Sequence, residues 1–249
     1  ALEPPDWART SAPREVKLAI PIAPSRLAPY DVDETGDPIP RTSTAGSAPR
    51  EPDAPSPFKL SGDYRFQRGL VTHALLEHLP TLDPARWQEA ARAFADSRGN
   101  MLSAPAREDI VTEVLAVLRD PAFASAFGPF SRPEVPLVAE IPNPSGRGLP
   151  LRLNAVIDRL VVGEREVLII DYKTNRPPPL EPSGVAAAYV YQLAAYRLAL
   201  QQIHPGHRVR AAILWTDGAR LMEIPDAMLG AYERELWQLA SLRTGESST

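Results

Sequence analysis

The stretch Val167–Lys173, V-L-I-I-D-Y-K, constrains the fold of this chain more than any other. Four apolar residues in an unbroken row read as a strand buried on both faces, as at the centre of a sheet covered by helices. The row ends in Asp171, one spacer and Lys173. Residues i and i+2 of a strand share a face, so Asp171 and Lys173 are expected to point into one site. Upstream, the apolar pair Val156–Ile157 ends in Asp158. The expectation is two adjacent buried strands, each with a carboxylate at its C-terminal end. Two carboxylates suit a hard divalent cation such as Mg²⁺. A lysine beside that cation suits activation of a water or stabilisation of a developing negative charge, the chemistry of phosphodiester hydrolysis. The same acids also read as plain strand ends, solvated or paired with Arg159, Arg176 or Lys173 itself, and the residues alone leave both readings open.

The chain has 249 residues and is 44% hydrophobic, enough for one large domain or one domain with extensions. A net charge of −4 argues against a protein that coats nucleic acid by bulk charge, but is compatible with a nuclease whose acidic site offsets basic residues elsewhere. There are no cysteines, which excludes disulfides, iron–sulfur clusters, cysteine zinc sites and thiol chemistry, and fits a cytoplasmic location. No apolar run reaches the roughly 18 residues of a membrane span, and no signal peptide is visible. There is no G-x-x-x-x-G-K-[ST], G-x-S-x-G, H-E-x-x-H or Gly-rich dinucleotide loop. The chain opens Ala-Leu-Glu without Met and reads as a piece of something longer.

Residues 1–57 hold 12 of the 28 prolines and read as a linker or arm, with a brief strand-like run at Val16–Ile22 and a lone Trp7 as a docking point or an exposed ring of no consequence. The globular part, 58–249, starts with helices. Gln67–Leu79 is one, stopped by Pro80. A second follows the cap Asp83-Pro84 and runs to about Ser97. Ile110, Val111, Val114, Leu115 and Leu118 have helical spacing. Asp120-Pro121 restarts a short helix ending near Gly128. Three strands follow, Glu134–Ile141, Leu149–Val162 and Val167–Tyr172. After a proline-rich loop come a helix (Gly184–Gln202), a strand (Val209–Thr216), a turn at Asp217-Gly218, a strand (Leu221–Ile224) and a last helix capped by Asp226. This order predicts an α/β fold with a central mixed sheet flanked by helices.

On the helix from Gly184, Tyr189, Gln192 and Tyr196 share a face, able to hydrogen-bond a phosphate or stack on a base, or to form a mixed amphipathic surface. His73 reads as a packed or surface histidine, or as a neutral imidazole ligand for a metal. Gly69, four residues before it, would let the helix approach another backbone closely. Glu134 is an additional acid near the site or a strand-edge glutamate. His78 suits a helix end, and His204 and His207 flank a solvated loop.

Together, I-D-R-L, I-I-D-Y-K-T-N, Y-x-x-Q-L-x-x-Y and A-I-L-W-T resemble the RecB-type nuclease domain of the PD-(D/E)XK superfamily. R-G-L-V-T-H-A-L-L-E-H-L-P resembles the histidine motif on that family's first helix. Within the family the chain looks like the C-terminal nuclease of the AddA subunit of AddAB helicase–nucleases, from about Phe66 to the last helix, and the early P-P-D-W looks like that subunit's linker. The resemblance implies a restriction-endonuclease-like fold with Mg²⁺ (or Mn²⁺) held by His73, Asp158, Asp171 and the carbonyl of Tyr172. It implies Asp171 and Lys173 as catalytic residues, with Gln192 and Tyr196 ordering the site and the DNA strand. Glu134 falls where many relatives have a glutamate. One departure is Ala155, where relatives usually have Gly. The lack of cysteines favours the AddA side of the family over its iron–sulfur members. The implied partners are DNA, as a single strand produced by unwinding, an AddB-type subunit, and a helicase motor N-terminal to this chain. Rival expectations are a non-catalytic DNA-binding or scaffold module of the same fold, and a free-standing exonuclease.

Overall fold

The computed structural model describes residues 30–32, 38–40, 57–146 and 150–243, with side chains over 66–146 and 150–237. Trp7 and Val16–Ile22 lie outside the described residues. N-terminal to the helices, β1 (Tyr30–Val32) and β2 (Pro38–Pro40) form a short antiparallel ladder.

Helix α1 (Pro57–His78) begins ten residues before the expected start at Gln67. Pro57 at its first position has no N–H to leave unpaired, so the chain can begin there without a marked apolar face. A 3₁₀ turn, Leu79–Thr81, absorbs Pro80. Asp83 accepts a hydrogen bond from the Ala85 N–H at 2.8 Å and leads through a second turn into α2 (Trp87–Arg98). Ser103 caps α3 (Ala104–Arg119), and Asp120 caps the 3₁₀ segment Pro121–Phe127.

The strands are β3 (Ser131–Ile141), β4 (Leu151–Val162), β5 (Glu166–Lys173), β6 (Arg208–Trp215) and β7 (Arg220–Glu223). They lie in the order β3-β4-β5-β6-β7, with β5 and β6 parallel and the other pairs antiparallel. The crossover from β5 to β6 is α4 (Ala187–Ile203), and α5 (Asp226–Arg243) follows β7. β3 starts three residues earlier than expected and contains Pro133 and Pro136. It is an edge strand, where a missing N–H need not cost a ladder bond.

Both faces of the sheet are covered. Ile157, Val167, Ile169, Val209 and Ile213 pack against α4 and α5. Ile170, Tyr172 and Leu214 pack against Val71, Leu75 and Leu76 of α1 and Ile110 and Val114 of α3. The run V-L-I-I is therefore buried on both sides, with Val167, Ile169 and Ile170 all at 0% exposure. Alternation along β5 puts Asp171 and Lys173 on the α4 face and the Tyr172 ring on the α1 face.

The outer hairpin breaks this alternation. Leu151, Leu153 and Ile157 of β4 face α4, and so does Leu160, three residues after Ile157. Arg159, which shares parity with Ile157, instead reaches Leu76 of α1. The two faces of β4 thus exchange at Asp158. β3 turns over at the same level: Pro133 pairs with Arg159 and Val135 with Ile157, and between them Glu134 has φ 46°. Such a left-handed backbone is uncommon for a residue with a Cβ and costs about 1–3 kcal/mol.

Candidate metal centre and active site

The turnover in β3 and β4 brings Glu134 and Asp158 side by side, and α1 lays His73 over them. One ligand atom from each of His73, Glu134 and Asp158 lies within 4.8 Å of the others. His73 Nδ1 is 3.5 Å from Asp158 Oδ1. The other oxygen, Oδ2, accepts the Tyr172 N–H at 2.7 Å.

That bond explains the placing of Asp158. Ladder pairing between β4 and β5 runs from Val162↔Val167 to Arg159↔Ile170. At the next level the Asp158 side chain takes the place of a backbone acceptor. The expectation of two acids at strand C-termini is therefore corrected. β4 continues past Asp158 to Val162, and because it runs antiparallel to β5, a mid-strand acid meets the end of its neighbour. The Thr216 N–H donates to the Lys173 carbonyl at 3.1 Å, so residue 173 uses the β6 side. Backbone groups of successive strand residues point to opposite edges, so the Tyr172 carbonyl faces the gap beside Asp158.

Asp171 is 2% exposed, and its Oδ2 lies 2.5 Å from Lys173 Nζ. The shared face expected from their spacing is present, and of the three cations weighed as partners for these acids, Lys173 is the one that pairs. Arg159 turns to the opposite face and Arg176 pairs with Glu113. Lys173 Nζ also sits 4.5 Å from the centre of the Tyr189 ring, whose hydroxyl donates to Asn175 at 3.1 Å. On α4, Gln192 Nε2 donates to the Tyr196 hydroxyl at 2.9 Å, which donates to the Val156 carbonyl at 3.1 Å. Tyr196 is 3% exposed, so its ring supports β4 two residues before Asp158 and offers no stacking face.

The electrostatics favour a cation. Burial alone would raise the Asp158 carboxyl, but the His73 hydrogen bond and the charges of His73 and Lys173 hold it below the ordinary aspartate value. Burial would lower the His73 imidazole, and the bond to Asp158 outweighs it, so His73 is raised. Glu134 is raised by burial and by the Asp158 charge. Asp171 is raised by burial, which with the charge of Asp158 outweighs Lys173. Burial would lower Lys173, but Asp171 and Asp158 raise it and keep it an ammonium. The carboxylates of Glu134, Asp158 and Asp171 crowd one another here, and the Asp158 charge raises both of the other two. Oxygen ligands plus one imidazole are the donor set a hard divalent ion accepts, and these residues fit that ion.

An open groove of about 430 Å³ leads to the cluster, lined by Phe66, Gly69, Leu70, His73, Ala74, Glu77 and Glu134. Phe66 is 68% exposed and Leu70 53%. Gly69 is not needed for a close backbone approach. A Cβ there would meet Thr174 Oγ1 at 3.9 Å, ordinary van der Waals contact. Ala155 packs half-buried against the α4 layer and leaves the site intact.

Two features escaped sequence reading. Arg159, 2% exposed, donates to the Tyr172 hydroxyl, to Ser131 Oγ at 2.9 Å and to the Leu76 carbonyl at 2.7 Å, and lies 4.5 Å from the Phe127 ring centre. It ties α1, β3 and β5 together beside Asp158. Glu113 of α3 gathers Arg68, Arg176 and Thr216 beneath the ends of β5 and β6. Its position in an amphipathic helix gave no sign of this.

Among the described residues no helix is long and apolar enough to cross a membrane. No curated protein matches the chain. Among solved structures, one titled "Crystal structure of SSO0001" is similar at 16% identity over 70% of this chain and 84% of that one, with a TM-score of 0.29. A family model described as the PD-(D/E)XK nuclease superfamily matches residues 50–242. That match spans the helices, the five-stranded sheet and every residue of the site, and the chain belongs to the PD-(D/E)XK nuclease superfamily.

Proposed function

We propose that this chain is a Mg²⁺-dependent deoxyribonuclease, with Mn²⁺ as a substitute ion, and the nuclease part of an AddAB-type helicase–nuclease acting in double-strand break repair. The observation that carries the nuclease reading is the meeting of His73, Glu134 and Asp158 beside the Asp171–Lys173 pair. The AddAB assignment rests on the sequence resemblance, which includes an AddB-type partner and a motor N-terminal to this chain.

His73, Glu134 and Asp158, with Asp171 and the Tyr172 carbonyl beside them, would hold a divalent ion, which when bound would supply Lewis acidity and a more acidic water. The residues do the rest. A DNA strand enters along the groove between Phe66 and Glu134. The Lys173 ammonium, held over Tyr189, neutralises charge that builds on the phosphate. Lys173, with Nζ 2.5 Å from Asp171 Oδ2, is also placed to orient the attacking water. Gln192 and Tyr196 hold the β4 backbone at Val156, and with it Asp158. In-line attack leaves a 5′-phosphate and a 3′-hydroxyl. Phosphate contacts carry no sequence information, so base preference is slight.

The test is cleavage of single-stranded DNA with Mg²⁺ by the purified chain and by Asp171→Ala and Lys173→Ala. Both variants are expected to lose cleavage. Wild-type rates in either would remove the assignment.

A further inference from the structure

We infer that Glu113 is a positioning residue for the metal centre: it ties α1 to the ends of β5 and β6 and so sets where His73 stands relative to Asp158. The inference rests on the metal-dependent reading above.

Glu113 lies on α3, outside the metal cluster, yet its carboxylate joins three elements that carry the site. Arg68 of α1 pairs with Oε2 at 2.6 Å. Arg176, three residues after Lys173, pairs with Oε1. Thr216, at the end of β6, donates its hydroxyl to Oε2 at 3.4 Å. The Thr216 N–H in turn holds the Lys173 carbonyl at 3.1 Å. Arg68 is 7% exposed and Thr216 0%, so the Glu113 contacts to these two residues are shielded from water, whereas Arg176 is partly open to it.

The geometry relates this network to His73. Helix α1 is fixed at two points, Arg68 by Glu113 and the Leu76 carbonyl by Arg159, and His73 stands between them. Apolar packing alone holds a helix against a sheet but tolerates sliding and rotation. A charge network with directed bonds specifies one arrangement. A metal centre needs its ligands held to about 0.5 Å, a tolerance that packing by Val71 and Leu75 does not by itself impose. With Glu113 neutral, Arg68 and Arg176 repel each other and the α1 end of the site loses its anchor.

The experiment measures Mn²⁺ binding to the 249-residue chain by calorimetry without DNA, well below the melting temperature of each variant. Glu113→Gln is expected to keep the far-UV circular dichroism of the wild type and to bind Mn²⁺ at least tenfold more weakly. The ¹⁵N resonances of the His73 ring in the metal-free protein should shift as its contact with Asp158 changes. A purely structural Glu113 would lower the melting temperature and leave both readouts unmoved, and that result overturns the proposal. If Glu113→Gln does not fold, Arg176→Gln decides, because this side chain is 41% exposed and its loss spares the core. Affinity within twofold of wild type in Arg176→Gln then overturns the proposal, and a threefold or larger loss supports it. A wild-type chain that binds no Mn²⁺ removes the metal-dependent reading itself. Binding that is lost in Asp158→Ala but unchanged in Glu113→Gln removes only the positioning role.

Discussion

Glu134 and Asp158 stand opposite each other across the β3–β4 hairpin at the level where both strands exchange their faces. In a regular hairpin, opposed side chains share a face and alternate with their neighbours. Here the exchange presents both carboxylates to His73 of α1 at the rim of the sheet. The backbone strain at Glu134 is therefore located at the candidate metal cluster, where local strain is commonly retained for function.

Cation binding should stabilise the fold through these two acids. At a Mg²⁺ or Mn²⁺ concentration about 100 times the dissociation constant, linkage gives about 2.7 kcal/mol of added stability. The melting temperature of the wild type should rise accordingly. Asp158→Ala should abolish the rise and Glu134→Gln should reduce it. A rise of wild-type size in Asp158→Ala would place the ion elsewhere.

The His73–Asp158 contact makes two pH trends run in opposite directions. The imidazole is raised above its ordinary value of 6.5 by Asp158 against the opposing effect of burial. A group with a raised folded-state pKa contributes stability that is present below the unfolded value and lost as pH rises through the folded one. Metal-free protein should thus lose stability as pH climbs past the ordinary imidazole range. Mn²⁺ affinity should climb over the same window, because the proton on His73 competes with the ion. His73→Ala should flatten both trends in denaturation and calorimetry run as pH series.

Arg159 is buried with its donors engaged on three separate elements. Arg159→Met keeps much of the length but takes the donor from the Leu76 carbonyl and the Tyr172 hydroxyl, while the Ser131 hydroxyl keeps its bond to the Ala126 carbonyl at 2.6 Å. The expected loss is about 2–5 kcal/mol in urea unfolding. A loss under about 1 kcal/mol would mean that water or local shifts satisfy those groups.

Gly69 offers the opposite sign. It lies within α1, and the space for a Cβ is open to ordinary contact distance from Thr174. Gly69→Ala should stabilise the fold by about 0.5–1 kcal/mol, since glycine carries the larger entropy cost in a helix interior. A destabilised variant would show that α1 sits closer to the β5–α4 loop than this structure places it.

Much of the site was legible because its spacing is local. Asp171 and Lys173 are two apart on a strand, so the pleat alone puts them together. Gln192 and Tyr196 are four apart on a helix, and they do bond to each other. His73 and Glu134 could not be decided in this way. His73 reads first as a packed or surface histidine, and Glu134 as readily as a strand-edge glutamate, until α1 and the β3–β4 hairpin are docked. Arg159 and Glu113 were less legible still, because their partners are up to 83 and 103 residues distant in the chain.

The amino-acid sequence by itself determined the buried central strand, the Asp171–Lys173 pair on one face of it, the alternation of helices and strands, and the absence of thiol chemistry. These follow from periodicity and composition, which act over a few residues. Tertiary structure alone decided that Asp158 meets the end of β5 from mid-strand, through an antiparallel neighbour and a bond to the Tyr172 N–H. It also decided that Glu134 joins His73 at the cluster, and that Tyr196 supports β4 instead of facing solvent. The physical reason lies at the opening stretch V-L-I-I-D-Y-K. A strand specifies which of its own residues share a face, but its neighbour's register and direction specify what meets them there.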